Sequence, residues 1–418
     1  MSLEGRIMRG SSYLKIGRIR EFILRYGGEV KDILIKAVEE GKLEKKEAYM
    51  LTGLSENERK ALIVVSSFIR DVASSRVVSY SRKVFIPLSN MCRNKCGYCG
   101  FRREPNSGGF IMEPNEVLEV SRRGVKTGCK EALFSLGEKP EEKYEYVRYF
   151  LKAKGYEKIS SYLRDMCELV FKETGLLPHT NAGLLEWSEL KMLREVNVSM
   201  GLMLENISER LCLRNGPHEY SPGKNPKLRL KVIEMAGQLK IPFTTGILIG
   251  IGETIRERID SLYAIRELHE KYNHIQEVII QGFRRKPNTP MENSQEPDIE
   301  DITYTVAIAR LIMPMDVAIQ SPPNLVSIDE CIRLLKSGIN DWGGISPVTR
   351  DFINPEKTWP NIKTLKEITE NLNLQFRERL PIYPKYVFKE EFLQENFKEK
   401  IRSLIDERGY VNIHYEAS

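Results

Sequence analysis

Three cysteines of this chain, Cys92, Cys96 and Cys99, fall within one short stretch in the spacing C-x3-C-x2-C. Thiolates this close together on one loop can bind a single inorganic centre, and iron–sulfur clusters take thiolate ligands. Three ligands for a four-iron cluster leave one iron open. The spacing therefore predicts a 4Fe-4S cluster with an iron atom at which chemistry can occur.

Zinc binding and a disulfide are weaker assignments for these cysteines. Structural zinc takes four protein ligands, and no His or further Cys follows until Cys129. A disulfide is disfavoured because the chain has an odd number of cysteines and no secretory signal near its start. The remaining thiols are scattered and are expected to be buried or idle; they are Cys129, Cys167, Cys212 and Cys331.

The composition is that of an ordinary soluble globular protein. The chain has 418 residues, of which 41% are hydrophobic and 29% charged, with a formal net charge of +6. Lys and Arg alternate with Glu along most helical stretches, which disfavours a nucleic-acid-binding face. No apolar run approaches the ~20 residues that span a bilayer. We therefore expect a cytoplasmic protein that binds neither nucleic acid nor membranes.

The predicted elements divide the chain into three parts. Residues 1–78 predict an N-terminal helical extension, in which Ser55 and Glu58 form a capping box. Residues 79–350 alternate short apolar runs with amphipathic segments, and residues 351–418 predict a looped tail with one helix at 389–407, packed on the main domain. The eight predicted strands lie at 84–88, 132–136, 179–182, 198–204, 243–250, 275–281, 316–320 and 338–341.

Eight strands with helical crossovers predict an α/β fold, a parallel (β/α)8 barrel of the TIM type. The runs 179–182 and 338–341 are poor strands by propensity, so a six-stranded partial barrel stays open as an alternative. Loops at the carboxyl ends of the strands build the site in such barrels. The cysteine loop follows the first strand, which places the cluster at this rim.

Three further strand ends carry residues suited to a charged or flat ligand. Glu138 follows a glycine after the second strand, where it could accept charge-assisted hydrogen bonds or stand in a surface turn. Glu205 and Arg210 follow the fourth strand and could bind a ligand or simply cap and pair. The glycine-rich run 246–253 lets the backbone approach a flat ligand, but it lacks the dinucleotide order G-x-G-x-x-G.

The cysteine spacing, with Tyr98 before the third cysteine, resembles the radical S-adenosylmethionine (SAM) superfamily. The resemblance implies that the open iron binds the methionine amino and carboxylate groups of SAM, whose cleavage gives a 5′-deoxyadenosyl radical. It implies that Glu138 binds the methionine ammonium, Glu205 the ribose and Arg210 the carboxylate. The SAM-binding residues expected from it are Tyr98, Ser135, Gly137, Glu138, Glu205, Arg210, Gly250 and Gly252.

Longer stretches resemble one family, the archaeal-type 7,8-didemethyl-8-hydroxy-5-deazariboflavin synthase, CofG subunit. These stretches are 80–88, 221–226, 241–246 and 341–347, and the resemblance runs from about Val78 to Trp359. The chain departs from the family at Ser89, where Thr is expected, and at Gly282, where Asn is expected. Residues 1–78 also exceed the leader expected for the family.

The resemblance implies the closing step in the synthesis of a deazaflavin chromophore. A sister subunit of the CofH type joins the hydroxybenzyl group of tyrosine to 5-amino-6-(D-ribitylamino)uracil. The radical formed by this subunit would take hydrogen from that adduct, and ring closure would expel ammonia, which makes the enzyme a lyase. The implied partners are the adduct, the sister subunit and an electron donor such as ferredoxin or flavodoxin.

A polyhydroxylated, aromatic and neutral substrate favours amides, hydroxyls and aromatic faces over a cluster of charge. Each candidate for contact with it could instead serve in an ordinary turn or cap. Two other functions stay open: a different radical SAM enzyme acting on an aromatic amino-acid adduct, and a non-catalytic module holding zinc or an electron-transfer cluster. The candidate contacts are His179, Asn181, Gln281, Arg284, Gln320, Asn324, Asp341 and Trp342.

Overall fold

Eight parallel strands form a closed barrel in this computed structural model, which describes residues 11–413. The strands pair in chain order, and β1 closes the barrel by pairing with both β8 and β2. The predicted (β/α)8 barrel is confirmed, and the six-stranded alternative is wrong. The strands are β1 (Val77–Ser89), β2 (Glu131–Leu136), β3 (Leu177–Asn181), β4 (Ser199–Gly201), β5 (Phe243–Ile249), β6 (Ile275–Gly282), β7 (Ala318–Gln320) and β8 (Asp341–Ile345).

Helices precede the barrel, surround it and follow it. The first four of those described form a helical layer before β1, and the others alternate with the strands or belong to the tail. They are α1 (Ser11–Ile23), α2 (Gly28–Glu40), α3 (Lys45–Met50), α4 (Glu56–Ser74), α5 (Pro114–Lys126), α6 (Glu145–Ala153), α7 (Ile159–Thr174), α8 (Trp187–Arg194), α9 (Pro226–Gln238), α10 (Ile255–Tyr272), α11 (Ile299–Ile312), α12 (Ile328–Lys336), α13 (Ile362–Glu370), α14 (Pro384–Val387) and α15 (Glu395–Leu404).

Helix α4 attaches the N-terminal layer to the barrel. The predicted capping box is present, because Ser55 and Glu58 exchange side-chain and backbone hydrogen bonds at the start of this helix. At its other end the buried guanidinium of Arg70 donates to the carbonyl oxygens of Leu335 and Ile339, both at 2.9 Å. The prediction that no signal-peptide core occupies the first residues of the chain lies outside the described residues.

Two strands differ from the sequence-based prediction. The eighth strand was expected at 338–341 and lies at Asp341–Ile345, because its two glycines lower the strand propensity of the true segment. A ninth strand in the tail, β9 (Gln375–Glu378), was missed since half of its residues are charged. It pairs in parallel with the first residues of β1, which explains why β1 starts earlier than the apolar run that predicted it.

The tail after β9 fills the lower, amino-terminal end of the barrel. The buried guanidinium of Arg379 donates to both carboxylate oxygens of Asp341, at 2.6 and 2.8 Å, and lies 3.7 Å from Glu277. The carbonyl oxygen of Pro381 accepts from Ser199 Oγ at 2.7 Å. Asp341, expected to contact substrate, is thus bound by Arg379 in the barrel floor.

Within residues 11–413, no helix combines the length and the apolar character that crossing a membrane requires.

The bond between Arg379 and Asp341 gives a prediction about stability. We expect Arg379→Leu to lower the free energy of unfolding by about 3–5 kcal/mol, because two carboxylates would stay buried without their cation. Urea denaturation of the purified protein measures this. Arg402→Leu, an exposed arginine on α15, is the matched control and should change little. A double variant with Asp341→Asn should recover part of the loss, and equal losses in the single and double variants would contradict the assignment.

Candidate active site

The loop after β1 brings its three cysteines to one cavity of about 1460 Å³ at the carboxyl ends of the strands. The turn after β2 packs directly against this loop. The backbone N–H of Glu138 donates to the sulfur of Cys92 at 3.2 Å. A side chain at Gly137 would lie 1.9 Å from the carbonyl oxygen of Met91, so only glycine fits there. The first two strand ends therefore form one wall of the cavity.

The sulfur environment suits a cluster. Burial raises the pKa of the Cys92 thiol to about 12 and also raises the pKa of Cys96, so a metal must displace the proton from these thiols. Within the described residues, no three His, Cys, Asp or Glu side chains converge on one point where a single ion would bind. In a cluster the sulfurs bind different iron atoms and need not converge in this way.

Glu138 supplies a negative charge to the same cavity. Its carboxylate accepts from Arg93 Nε at 2.9 Å and Nη2 at 2.8 Å, and from the backbone N–H of Leu184 at 2.9 Å. Burial opposes its ionisation, but Arg229, the Leu184 amide and Arg93 outweigh burial and hold the pKa of Glu138 below its usual value. The carboxylate is therefore ionised at neutral pH, as binding of an ammonium group requires.

A second carboxylate, Glu205, follows β4 with a left-handed backbone (φ 65°). Lys224 Nζ binds its carboxylate, and Arg229 Nη2 lies 3.8 Å from it. Burial opposes ionisation of Glu205, yet these two cations hold its pKa below its usual value. All three side chains line the cavity beside Tyr98, whose hydroxyl lies 3.0 Å from His218 Nε2.

Lys224 and Arg229 were not among the predicted site residues. The signal was present, since Lys224 lies in the stretch 221–226 that carries part of the family resemblance. Arg229 gave no signal because it reads as an ordinary charge on a helix. In the structure Arg229 is buried on α9, and its guanidinium donates to the carbonyl oxygens of Met203 and Gly223, at 2.6 and 2.8 Å.

Three of the residues expected to bind SAM lie away from this cavity. Arg210 is half exposed, and its Nη2 donates to Glu257 at 2.8 Å and to the carbonyl oxygen of Gly252 at 2.9 Å. Neither Gly250 nor Gly252 lines the cavity; Leu248 of β5 does. Tyr98, Ser135, Gly137, Glu138 and Glu205 do line it together with the three cysteines.

A second cavity of about 830 Å³ continues into the barrel interior. Asn181 and Gln281 line both cavities, so they stand at the junction. His179 lies deeper, with Nδ1 2.7 Å from Ser199 Oγ, and burial lowers its pKa to about 4, which keeps the ring neutral. Gln320 and Asn324 line the deeper part. Five candidate substrate contacts thus face one continuous space.

The other candidate contacts are placed differently. Arg284 lines the upper cavity, but its Nε donates to the carbonyl oxygen of Leu325 at 2.9 Å. Trp342 is fully buried, and its indole N–H donates to Thr369 of α13 at 3.2 Å. The Trp342 side chain therefore packs between the barrel and a helix, because neighbouring residues of a strand face opposite sides. Trp342 is nevertheless among the residues that line the lower cavity, whereas Asp341, the first residue of β8, is bound by Arg379 in the floor.

Charged groups inside the barrel were also missed. Lys83 of β1 and Glu131 of β2 are neighbours in the strand register, and both line the lower cavity with Glu277 of β6. Burial raises the pKa of Glu277. A lysine and two glutamates within strands buried on both faces are a signal that the sequence offered, since such strands are otherwise nearly all apolar.

Comparison with known proteins places this geometry in context. The family model described as "Radical SAM superfamily" matches residues 86–265. The chain is 51% identical over 335 residues to the 7,8-didemethyl-8-hydroxy-5-deazariboflavin synthase of Methanopyrus kandleri, covering 80% of this chain and 99% of that protein. It is 51% identical over 348 residues to the synthase of the same name from Methanocaldococcus jannaschii, covering 83% of this chain and 95% of that one.

A longer relative and two solved structures complete the comparison. The FO synthase of Nocardia farcinica is 46% identical over 335 residues, which are 79% of this chain and 39% of that protein. The hydrogenase maturase HydG of Carboxydothermus hydrogenoformans superposes with a TM-score of 0.70 at 18% identity, covering 97% of this chain and 91% of that one. Methylornithine synthase gives a TM-score of 0.64 at 19% identity, with coverage of 83% and 97%.

The two structural likenesses support the barrel, and the sequence identities go further. The identity of 51% extends over 99% of one synthase and 95% of the other, and over at least 80% of this chain. The chain belongs to the 7,8-didemethyl-8-hydroxy-5-deazariboflavin synthase family of the radical SAM superfamily.

Proposed function

We propose that this enzyme catalyses the ring-closing step of deazaflavin chromophore synthesis. Its substrate is 5-amino-5-(4-hydroxybenzyl)-6-(D-ribitylimino)-5,6-dihydrouracil, and ammonia is released. The observation that carries the proposal is the pair of joined cavities, one lined by the three cysteines and the other by amides, aromatic rings and several charged groups. A cofactor in the upper space and a neutral polar substrate in the lower one would meet at Asn181 and Gln281.

The upper cavity offers groups suited to each part of SAM. The superfamily uses a 4Fe-4S cluster and SAM, and the cluster supplies the electron that cleaves SAM. Cys92, Cys96 and Cys99 would hold the cluster. Glu138 is an ionised acceptor for the methionine ammonium, and Lys224 is a buried cation for the methionine carboxylate. Glu205 would accept hydrogen bonds from the ribose hydroxyls.

The relatives support a division of labour between two subunits. The match covers 39% of the longer FO synthase but 99% and 95% of the two shorter synthases. We propose that the present chain is the CofG-type subunit and that a CofH-type sister supplies the adduct. Support comes from the stretch 82–88, which matches the approach to the cysteines expected of this subunit. A reducing cytoplasm, with ferredoxin or flavodoxin as electron donor, suits a cluster held by free thiolates.

The first test is a complete reaction. Anaerobically reconstituted protein, given SAM, a reductant and the product of the sister subunit, should release 5′-deoxyadenosine, ammonia and a fluorescent deazaflavin. Chromatography with fluorescence detection, together with an ammonia assay, measures the three products in one sample. Formation of the adduct from tyrosine and the ribitylaminouracil would instead identify the chain as the sister enzyme. Cleavage of SAM with neither product would point to another radical SAM enzyme.

The cluster ligands are tested separately. Cys96→Ala should reduce the bound iron far below about four per chain and abolish SAM cleavage, because a cube held by two thiolates is unstable. Cys212→Ala is the matched control, since this thiol does not line the cavity. Iron analysis and 5′-deoxyadenosine release provide the readouts. SAM cleavage at the normal rate by Cys96→Ala would contradict the cluster assignment.

The role of Lys224 in binding SAM can be separated from that of Arg210. We expect Lys224→Met to weaken SAM binding to the cluster-loaded protein about tenfold or more, because the cavity loses a buried cation and Glu205 loses its partner. Lys227→Met, an exposed lysine three residues away, is the control. Arg210→Met should also leave the dissociation constant unchanged, and a loss there would restore the sequence-based assignment of the carboxylate site.

A further inference from the structure

We propose that the lower cavity contains a recognition site for the imide edge of a pyrimidinedione ring, formed by Lys83, Gln320 and Asn324. This edge presents carbonyl oxygens on either side of an N–H group. The identity of the ring rests on the proposed function; the polar atoms that bind it are found in the structure. All three side chains line the cavity and are at least nine-tenths buried, with exposures of 8%, 5% and 5%.

Lys83 provides a donor that has no acceptor within residues 11–413. Its Nζ makes no hydrogen bond or ion pair there, and it lies 5.0 Å from the ring centre of Trp359 and 5.7 Å from that of Phe85. Burial lowers the pKa of Lys83, with carboxylates around it acting against burial, and the amine is a donor in either protonation state. A buried nitrogen of this kind is stabilised when a ligand supplies an oxygen.

The charged groups that face Lys83 already have hydrogen-bond or ion-pair partners. Glu131 accepts from Ser81 Oγ, and Glu277 accepts from Thr244 Oγ1 at 3.1 Å. The charges around the ammonium come from Glu131, Asp351, Glu277 and Arg379.

The other two charged groups around Lys83, Asp351 and Arg379, also have partners. Asp351 accepts from the side-chain amides of Asn324 and Asn354, both at 2.9 Å, and Arg379 binds Asp341. No carboxylate near Lys83 therefore serves as its partner in the described chain, which leaves that role to a ligand.

Gln320 and Asn324 provide acceptors that have no donor. Gln320 Oε1 and Asn324 Oδ1 are buried without a hydrogen-bond partner among the described residues. Each amide nitrogen is already in use: Asn324 Nδ2 donates to Asp351 at 2.9 Å, and Gln320 Nε2 donates to the carbonyl oxygen of Trp342 at 3.5 Å. The bond to Asp351 fixes which end of the Asn324 amide is free, and the longer contact with Trp342 favours the corresponding orientation of Gln320. A ligand that fills the cavity must therefore bring an N–H or O–H donor.

Two glycines of β8 lie against the side chains of Lys83 and Gln320. A side chain at Gly344 would lie 2.8 Å from Lys83 Nζ, and one at Gly343 would lie 2.4 Å from Gln320 Nε2. The two polar heads therefore rest against the same dipeptide, which explains glycines at both positions. The amine of Lys83 and the amide of Gln320, both at this dipeptide, suit a carbonyl and the N–H beside it, and Phe85 and Trp359 add aromatic faces to this part of the cavity.

The test measures ligand binding without catalysis. The probe is 6-(D-ribitylamino)uracil, titrated calorimetrically into cluster-loaded protein in the presence of SAM. We expect Lys83→Met to weaken probe binding tenfold or more while SAM affinity stays unchanged, which also shows that the variant is folded. Lys152→Met, an exposed lysine on α6, is the matched control. Unchanged probe affinity in Lys83→Met would overturn the proposal.

A second probe distinguishes ring recognition from binding of the ribityl chain. Methylation of the imide nitrogen of the probe should weaken binding to the wild-type protein tenfold or more, because the acceptor amides lose their donor. Gln320→Met should bind the methylated and unmethylated probes more nearly alike. If methylation has no effect while free ribitol competes with the probe, the polar atoms bind hydroxyls and the imide assignment is wrong.

The failure of this inference and the failure of the proposed function give different results. A wild-type enzyme that forms deazaflavin, with a Lys83→Met variant of unchanged KM for the adduct and unchanged probe affinity, refutes the imide site alone. Probe binding that depends on Lys83, in a protein that forms no deazaflavin from the adduct, refutes the reaction and leaves the site in place.

Discussion

The turn after β2 lies against the cysteine loop so closely that position 137 has no room for a side chain. This contact joins the first two strand ends and sets the distance between a thiol ligand and Glu138, whose backbone N–H donates to the Cys92 sulfur. The rest of the upper cavity depends on it, because the wall that carries the sulfur also carries an anionic acceptor. The loop before α9 then joins this wall, because Gly223 lies against the Glu138 carboxylate and the next residue, Lys224, binds Glu205.

Buried charge is balanced locally in both parts of the interior. At the mouth, Glu138 and Glu205 are kept ionised by Arg93, Lys224 and Arg229. In the floor, Arg379 holds Asp341. Each buried ion has partners that offset much of its desolvation cost. Lys83 differs from these groups, since its nitrogen makes no hydrogen bond or ion pair within residues 11–413, and this difference is the basis of the proposed recognition site.

The tail has a structural role that its sequence does not predict. Residues after β9 read as loops with scattered prolines, yet they fill the amino-terminal end of the barrel, and Pro381 accepts hydrogen bonds from Ser199 and Gln276. The interior cavity therefore lies between this floor and the cysteine loop. A substrate below the upper cavity would be held away from water on the floor side, which suits chemistry with a reactive radical.

The barrel could be predicted from the order of the residues, and so could the position of the cysteine loop and of the Gly137–Glu138 turn at its rim. Strand periodicity and cysteine spacing are local properties, and a parallel barrel places every strand end at one rim. Which charges face the cavity was settled by the packing of the whole chain. The spacing pointed to Arg210 and gave no signal for Arg229, but Arg210 lies on the surface with Glu257 and Arg229 is buried beside Glu205. The same holds for Trp342 and Lys83, because the direction of a side chain depends on the register of β8 and on the closure of β1, which no short stretch of sequence specifies.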